Sequence, residues 1–304
     1  MSEPLSRRRF LALGAGLTAT AGLGALAGCS STASSRPITI ARETLPYGFE
    51  PMQRGDLRVP MEATPRPVVV LIHGGYWRVG FDRDSMSSLA DDLARRGFAT
   101  WNIDYRRVGE PGGGWPGTMT DVAAAVDLLA TLAPKKNLDV TRVAVLGHSA
   151  GSQLAYWAAA RANLAAGALG AAPAVKPRAA VSLSGVLDLR AALGQDALDG
   201  GELSGATRAF LGGDLSTVPD RYDQASPSSR LPLSVPQLLL HGEADQKVDV
   251  AQSRDYAQAA SSRGDEVTFV EIPGAHHFDV ITITKAWWDE VLGWLPKTLG
   301  DPAV

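Results

Sequence analysis

Six short apolar runs recur along the chain, with segments of helical spacing between them. Pro67-Val68-Val69-Val70-Leu71-Ile72 is apolar without interruption, as a strand covered on both faces should be. Phe98–Ile103, Val140–Leu146, Ala179–Leu183, Val235–Leu240 and Val267–Ile272 are similarly short, and each predicts a strand. Elsewhere the period lengthens. Ser85–Arg96 places Met86, Leu89 and Leu93 on one side, and Asp121–Leu132 aligns Val122, Val126 and Leu129. Helices are also predicted over Ala150–Arg161, Val250–Ser261 and Lys285–Leu295. Strands alternating with helices predict an α/β domain with a mostly parallel central sheet and helices on both faces.

The rhythm fails between Leu187 and Leu233, a stretch rich in Gly, Asp, Ser and Pro with one short helical candidate at Gly205–Leu211. Long insertions without structure of their own are uncommon and often functional. This one is read as a small lid beside a site, within the same domain. No internal repeat is visible.

The first residues follow a different logic. Ser6-Arg7-Arg8-Arg9-Phe10-Leu11 precedes a small and apolar run from Ala12 to Ala27. A charged segment before a short apolar one is the layout of an export signal, and the run is short for crossing about 30 Å of hydrocarbon. It resembles a twin-arginine signal. Leu26-Ala27-Gly28-Cys29 resembles a bacterial lipobox, which implies lipidation of Cys29 and attachment to a membrane through that lipid. Residues 1–28 are therefore expected to be an export signal and 29–37 a flexible tether. The catalytic domain is expected over 38–300, at the cell envelope on its periplasmic or extracellular face. Cys29 is the chain's single cysteine, so no internal disulfide can form.

Composition changes little. With 304 residues, 45% apolar and 20% charged, the chain is ordinary globular material for one large domain. The net charge is −3 and no basic tract is long enough to suggest a nucleic-acid groove, which argues against a nucleic-acid partner.

Gly147-His148-Ser149-Ala150-Gly151 is where chemistry enters. The pattern G-x-S-x-G follows a predicted strand and opens a predicted helix, the context in which serine sits on a strained turn with its hydroxyl raised above the sheet. His73-Gly74-Gly75-Tyr76-Trp77 directly follows the Val68–Ile72 strand, and its glycines allow the loop to fold close to the serine. Backbone donors there would hold the negative oxygen that develops as serine attacks a carbonyl. The residues suggest the amides of Ala150 and Gly75, with Gly74 or Tyr76 as further contributors. His73 reads as a brace for its turn. Tyr76 and Trp77 are candidates for the pocket wall, with a place in the core as the alternative.

A serine nucleophile needs a base, and the base an orienting carboxylate. Asp245 falls in the loop after the Val235–Leu240 strand, with Glu243 and Asp249 as competitors. Either His276 or His277 could serve as base. All five histidines (73, 148, 241, 276 and 277) lie at the carboxyl ends of predicted strands, where open α/β sheets place ligands. No metal-ligand spacing is recognisable among them.

Together, HGGYW at 73–77, DYR at 104–106, GHSAG at 147–151, SGVLDL at 184–189, HGEAD at 241–245 and HHFDV at 276–280 resemble the esterase/lipase superfamily of the α/β-hydrolase fold. The closest likeness is to its hormone-sensitive-lipase-like, feruloyl-esterase-like and kynurenine-formamidase-like branches. The resemblance implies a triad of Ser149, Asp245 and His277, the histidine before phenylalanine. It implies an oxyanion hole of Gly74, Gly75 and Ala150, and no cofactor or metal. Ser226-Pro227 resembles a segment that packs near the pocket in such enzymes. The expected partner is a small-molecule ester or amide, cleaved through an acyl-enzyme. HGGYW is especially similar to the kynurenine formamidase branch, which makes amide hydrolysis the alternative. A peptidase or a non-catalytic binding protein ranks lower.

Overall fold

The computed structural model describes residues 38–302; the expected signal (1–28), the tether (29–37) and Cys29 lie outside the described residues. The chain opens with β1 (Ile40–Pro46), β2 (Arg54–Pro60) and β3 (Arg66–Ile72), then α1 (Ser87–Arg95) and β4 (Ala99–Ile103). Next come α2 (Gly117–Lys136), β5 (Leu138–His148), α3 (Ala150–Ala160) and β6 (Ala179–Leu183). The following segment carries α4 (Asp196–Asp199), α5 (Glu202–Leu211) and α6 (Pro219–Ala225). The domain ends with β7 (Gln237–Gly242), α7 (Ala251–Ser262), β8 (Val267–Ile272) and α8 (Trp288–Leu299).

The strands form one sheet in the order β1-β2-β4-β3-β5-β6-β7-β8. From β4 to β8 every pairing is parallel, while β1 and β2 join antiparallel at one edge. This is the α/β-hydrolase arrangement, and all six expected strands occur in it. The β1–β2 hairpin was not foreseen. Its strands, IARETLP and RGDLRVP, are rich in polar residues, and β1 is largely exposed, so they lack the apolar run that marks a strand buried on both faces. Charges on an edge strand hinder pairing with another chain.

Strands β3, β4, β6 and β7 and the second half of β5 are buried because side chains on successive residues belong to two different cores. Val68, Val70 and Ile72 face the layer holding α2, α3 and α7, with Val122, Val126, Leu154 and Tyr256. Val69 and Leu71 face α1 and α8, meeting Leu89, Leu93, Trp288 and Leu295. Each such side chain contributes roughly 1.5–3 kcal/mol by leaving water, so the two-faced burial of β3 is a principal source of stability.

Between 187 and 233 the chain is more ordered than its composition suggests. Leu203, Ala206, Phe210 and Leu211 turn one face of α5 into the core, and Tyr222 and Ala225 do the same from α6. The candidate at Gly205–Leu211 is the C-terminal part of α5, whereas Gly, Asp and Ser at the turns, as at the left-handed Gly200, Gly201 and Gly212, hide α4 and α6. Among the described residues, no helix is long and apolar enough to cross a membrane.

Candidate active site

The parallel strands all deliver their carboxyl ends to one rim, and the motif residues follow from there. At the end of β5, Ser149 has φ 55° and ψ −123°, outside the regions an L-residue prefers. The turn is possible because its neighbours lack side chains. A β-carbon on Gly147 would stand 2.2 Å from the Gly151 carbonyl oxygen, and one on Gly151 would stand 2.1 Å from that of Ile72. Helix α3 then starts at Ala150, so its first N–H groups, which have no intrahelical acceptor, gather beside the serine.

The loop after β3 approaches the same point. A β-carbon on Gly74 would lie 2.9 Å from Ser149 Cβ, and one on Gly75, where φ is +105°, would meet Phe81 at 2.4 Å. Tyr76 and Trp77 continue in left-handed backbone at φ 54° and 55°. This conformation sends the two aromatics in different directions. Tyr76 is half-buried and lines the pocket, one of the two places the sequence leaves open to it. Trp77 does not belong to the pocket wall. It is fully buried, stacks on Phe210 of α5 at 4.7 Å, and donates from Nε1 to Gln153 Oε1 at 2.9 Å. The apolar indole is better accommodated in the core, where its N–H also finds an acceptor.

His73 is a brace. Its ring stacks on Tyr105 at 4.3 Å, its Nδ1–H donates to the Gly74 carbonyl at 2.7 Å, and Tyr105 Oη donates to the His73 carbonyl at 2.9 Å. Complete burial lowers its pKa to about 4, so it stays neutral despite Asp104 nearby.

Asp245 lies at the end of β7, 5% exposed. Its Oδ1 accepts the backbone N–H groups of Lys247 and Val248 at 2.8 and 3.0 Å. Its Oδ2 accepts from His277 Nδ1 at 2.7 Å. Burial opposes the charge, but donation from His241 and His277 outweighs it and holds the carboxyl well below the usual range. The competitors go elsewhere. Glu243 is exposed, and Asp249 caps the start of α7 by accepting from Ala251 N at 2.9 Å. His276 is exposed too, with Nδ1 against the Ala244 carbonyl at 2.9 Å. Of the two adjacent histidines, His277 therefore reaches the carboxylate.

Ser149, His148 and His277 line a cavity of about 390 Å³ together with Gly74, Gly75 and Tyr76. Phe81, Phe278 and Ile281 form its apolar side; Glu202 and Lys247, paired at 3.1 Å, form a polar one. None of these five carried a sequence signal as a pocket residue, because what brings each to the site is tertiary packing of separate loops and helix ends. Their positions are nonetheless fixed locally. Arg107 donates to the Phe81 carbonyl, and Phe278 meets the His277 ring edge-on at 5.1 Å. Glu202 places the insertion beside the site, and Ser226 helps fasten it by accepting from Leu189 N at 3.0 Å. His148 packs on His277 at 4.8 Å and donates from Nε2 to its carbonyl at 3.1 Å. Burial, then the neighbouring His277, lowers the His148 pKa to about 3, leaving it a neutral donor.

A hydroxyl on a strained turn, an imidazole oriented by a carboxylate, and a helix N-terminus beside them can together carry out nucleophilic acyl transfer.

Known proteins share this frame. The chain is 29% identical over 260 residues to Esterase LipC of Mycobacterium tuberculosis, covering 80% of this chain and 61% of that one. It is 24% identical over 253 residues to the kynurenine formamidase of Danio rerio, covering 83% of this chain and 80% of the relative. The chain thus spans less than two thirds of LipC, and about half (52%) of Esterase LipQ from the same mycobacterium. Among solved structures, Esterase B from Lactobacillus rhamnosis superposes with a TM-score of 0.71 at 23% identity, covering 89% of each chain. The BD-FAE family model matches residues 56–259, from β2 into α7. That match takes in more than half of the chain and includes the serine turn, the glycine loop and Asp245, so the chain belongs to the BD-FAE family, on an α/β-hydrolase scaffold.

Proposed function

We propose that this protein is a serine-dependent hydrolase of small carboxylic esters. The observation that carries the reading is the 2.7 Å bond from His277 Nδ1 to Asp245, which leaves His277 Nε2 free to act in the cavity that Ser149 also lines. In this mechanism His277 takes the Ser149 proton as Oγ attacks the carbonyl carbon. The oxygen becomes negative against the backbone N–H groups of Gly74, Gly75 and Ala150. His277 then returns the proton to the departing alcohol, leaving an acyl-enzyme. Water, deprotonated by the same histidine, releases the acid and restores the serine.

The cavity size and its wall of Phe81, Phe278 and Ile281 suit a short- or medium-chain acyl group. Formamide hydrolysis is the second reading, supported by HGGYW and by the similarity to the zebrafish kynurenine formamidase. The purified protein should hydrolyse p-nitrophenyl acetate, butyrate or octanoate faster than N-formylkynurenine. Dominant deformylation would replace the esterase reading with the second one.

We also propose export and lipid attachment, supported by the three arginines before the apolar run and by Leu26-Ala27-Gly28-Cys29. In a bacterial host the full chain should fractionate with membranes, and Cys29→Ser should release it. Equal membrane retention of both would remove the lipid anchor.

A further inference from the structure

The triad carboxylate serves two histidines. His241 closes β7 and is fully buried, four residues before Asp245. Its Nε2 lies 3.0 Å from the Val248 carbonyl and 3.3 Å from Asp245 Oδ2, the oxygen that also receives His277. A carbonyl oxygen can only accept, so this Nε2 carries the proton and is shared between Val248 and the carboxylate. The other nitrogen, Nδ1, is 2.7 Å from Ser253 Oγ on α7, whose hydroxyl donates to it. Ser253 is itself buried, so the ring is held in one tautomer.

Together with the Lys247 and Val248 amides on Oδ1, these contacts give Asp245 four donors from distinct directions. Three of them keep the carboxylate in place without touching the reacting atoms. We propose that His241, locked by Ser253, is a positioning residue for the reaction: it fixes the Asp245 oxygen that orients His277. The two histidines have separate tasks. His277 exchanges protons with substrate, whereas His241 holds a fixed proton against the carboxylate throughout the cycle. This inference rests on the serine-hydrolase reading above.

The experiment compares His241→Gln, His241→Leu and Ser253→Ala on p-nitrophenyl butyrate, with wild type and Ser149→Ala beside them. Glutamine can keep a donor near the Nε2 position, whereas leucine removes it. His241→Leu should lose about tenfold or more in kcat with KM little changed, the cost of a slightly misplaced base. His241→Gln should recover most of that loss. Ser253→Ala, the milder change, should lower kcat severalfold, again at steady KM; it decides the matter should the leucine variant not fold. Wild-type kcat in a folded His241→Leu, equal impairment of the glutamine and leucine variants, or unchanged kcat in Ser253→Ala overturns the proposal. Those results would leave the serine-hydrolase reading standing as long as wild type turns over and Ser149→Ala does not. No turnover by wild type would remove both.

Discussion

Replacing Ser149 by alanine is expected to lower kcat on p-nitrophenyl butyrate by about 10⁵- to 10⁶-fold, with the fold intact. Alanine keeps the β-carbon that already occupies the strained turn at φ 55°, so the backbone has no new reason to relax. The Gly147 and Gly151 contacts that permit the turn are likewise untouched. What disappears is the oxygen that forms the acyl-enzyme, and with it the proton transfer to His277. Steady-state kinetics beside a thermal melt checks this. A well-folded variant within tenfold of wild-type turnover would remove Ser149 from the mechanism.

Asp245→Asn should produce the next largest loss, about 10⁴-fold in kcat. The reason is directional. Lys247 N and Val248 N both donate to Oδ1, so an asparagine will place its carbonyl oxygen there. Its NH₂ then faces His277 Nδ1, which donates to the native carboxylate, and His241 Nε2, which lies against it at 3.3 Å. His277 can resolve the clash only by turning Nδ1 into an acceptor, which moves its proton to Nε2, and an Nε2–H cannot take the serine proton. The same variant should change acid stability. A carboxylate whose folded pKa is depressed contributes stability that is full above the unfolded value of about 3.9 and is lost as pH falls through and below it. Asp245→Asn should therefore melt lower than wild type at neutral pH, with the gap narrowing below about pH 4. The neutral, buried His73 and His148 act in the same sense at higher pH, from about 6.5 downward, and are common to both proteins. Melting curves from pH 7 to 3 give the comparison; a gap that widens toward acid would contradict the linkage.

What could be read from the sequence follows from how far each feature depends on its neighbours in the chain. β3 and the Val143–Leu146 half of β5 announce themselves because two-sided burial demands unbroken apolar residues. The serine turn announces itself because only glycine fits at 147 and 151. The β1–β2 hairpin does not, since an exposed edge strand and its polar partner need no such run; among the inserted helices α5 shows as the candidate at Gly205–Leu211, while α4 and α6 are hidden among turn residues. Trp77 shows the limit most clearly. Beside Tyr76 in sequence, it shares neither its surroundings nor its exposure, because two successive left-handed residues part them. Choosing His277 over His276 needed either the resemblance or the three-dimensional contact with Asp245, as spacing alone left both open. The polar pair Glu202–Lys247 joins residues 45 positions apart, beyond the reach of any local pattern.

Gln153 has consequences for how this scaffold can diverge. Its side chain accepts from Trp77 Nε1 and donates to the Ala225 carbonyl, both at 2.9 Å. A single amide on α3 thus couples the glycine loop after β3 to the end of α6 in the inserted segment. Exchanging that segment for one from a relative will disturb the glycine loop unless the graft brings a carbonyl to the same place. Transplants should accordingly be cut outside the contact, and those that split it will need a compensating change at position 153.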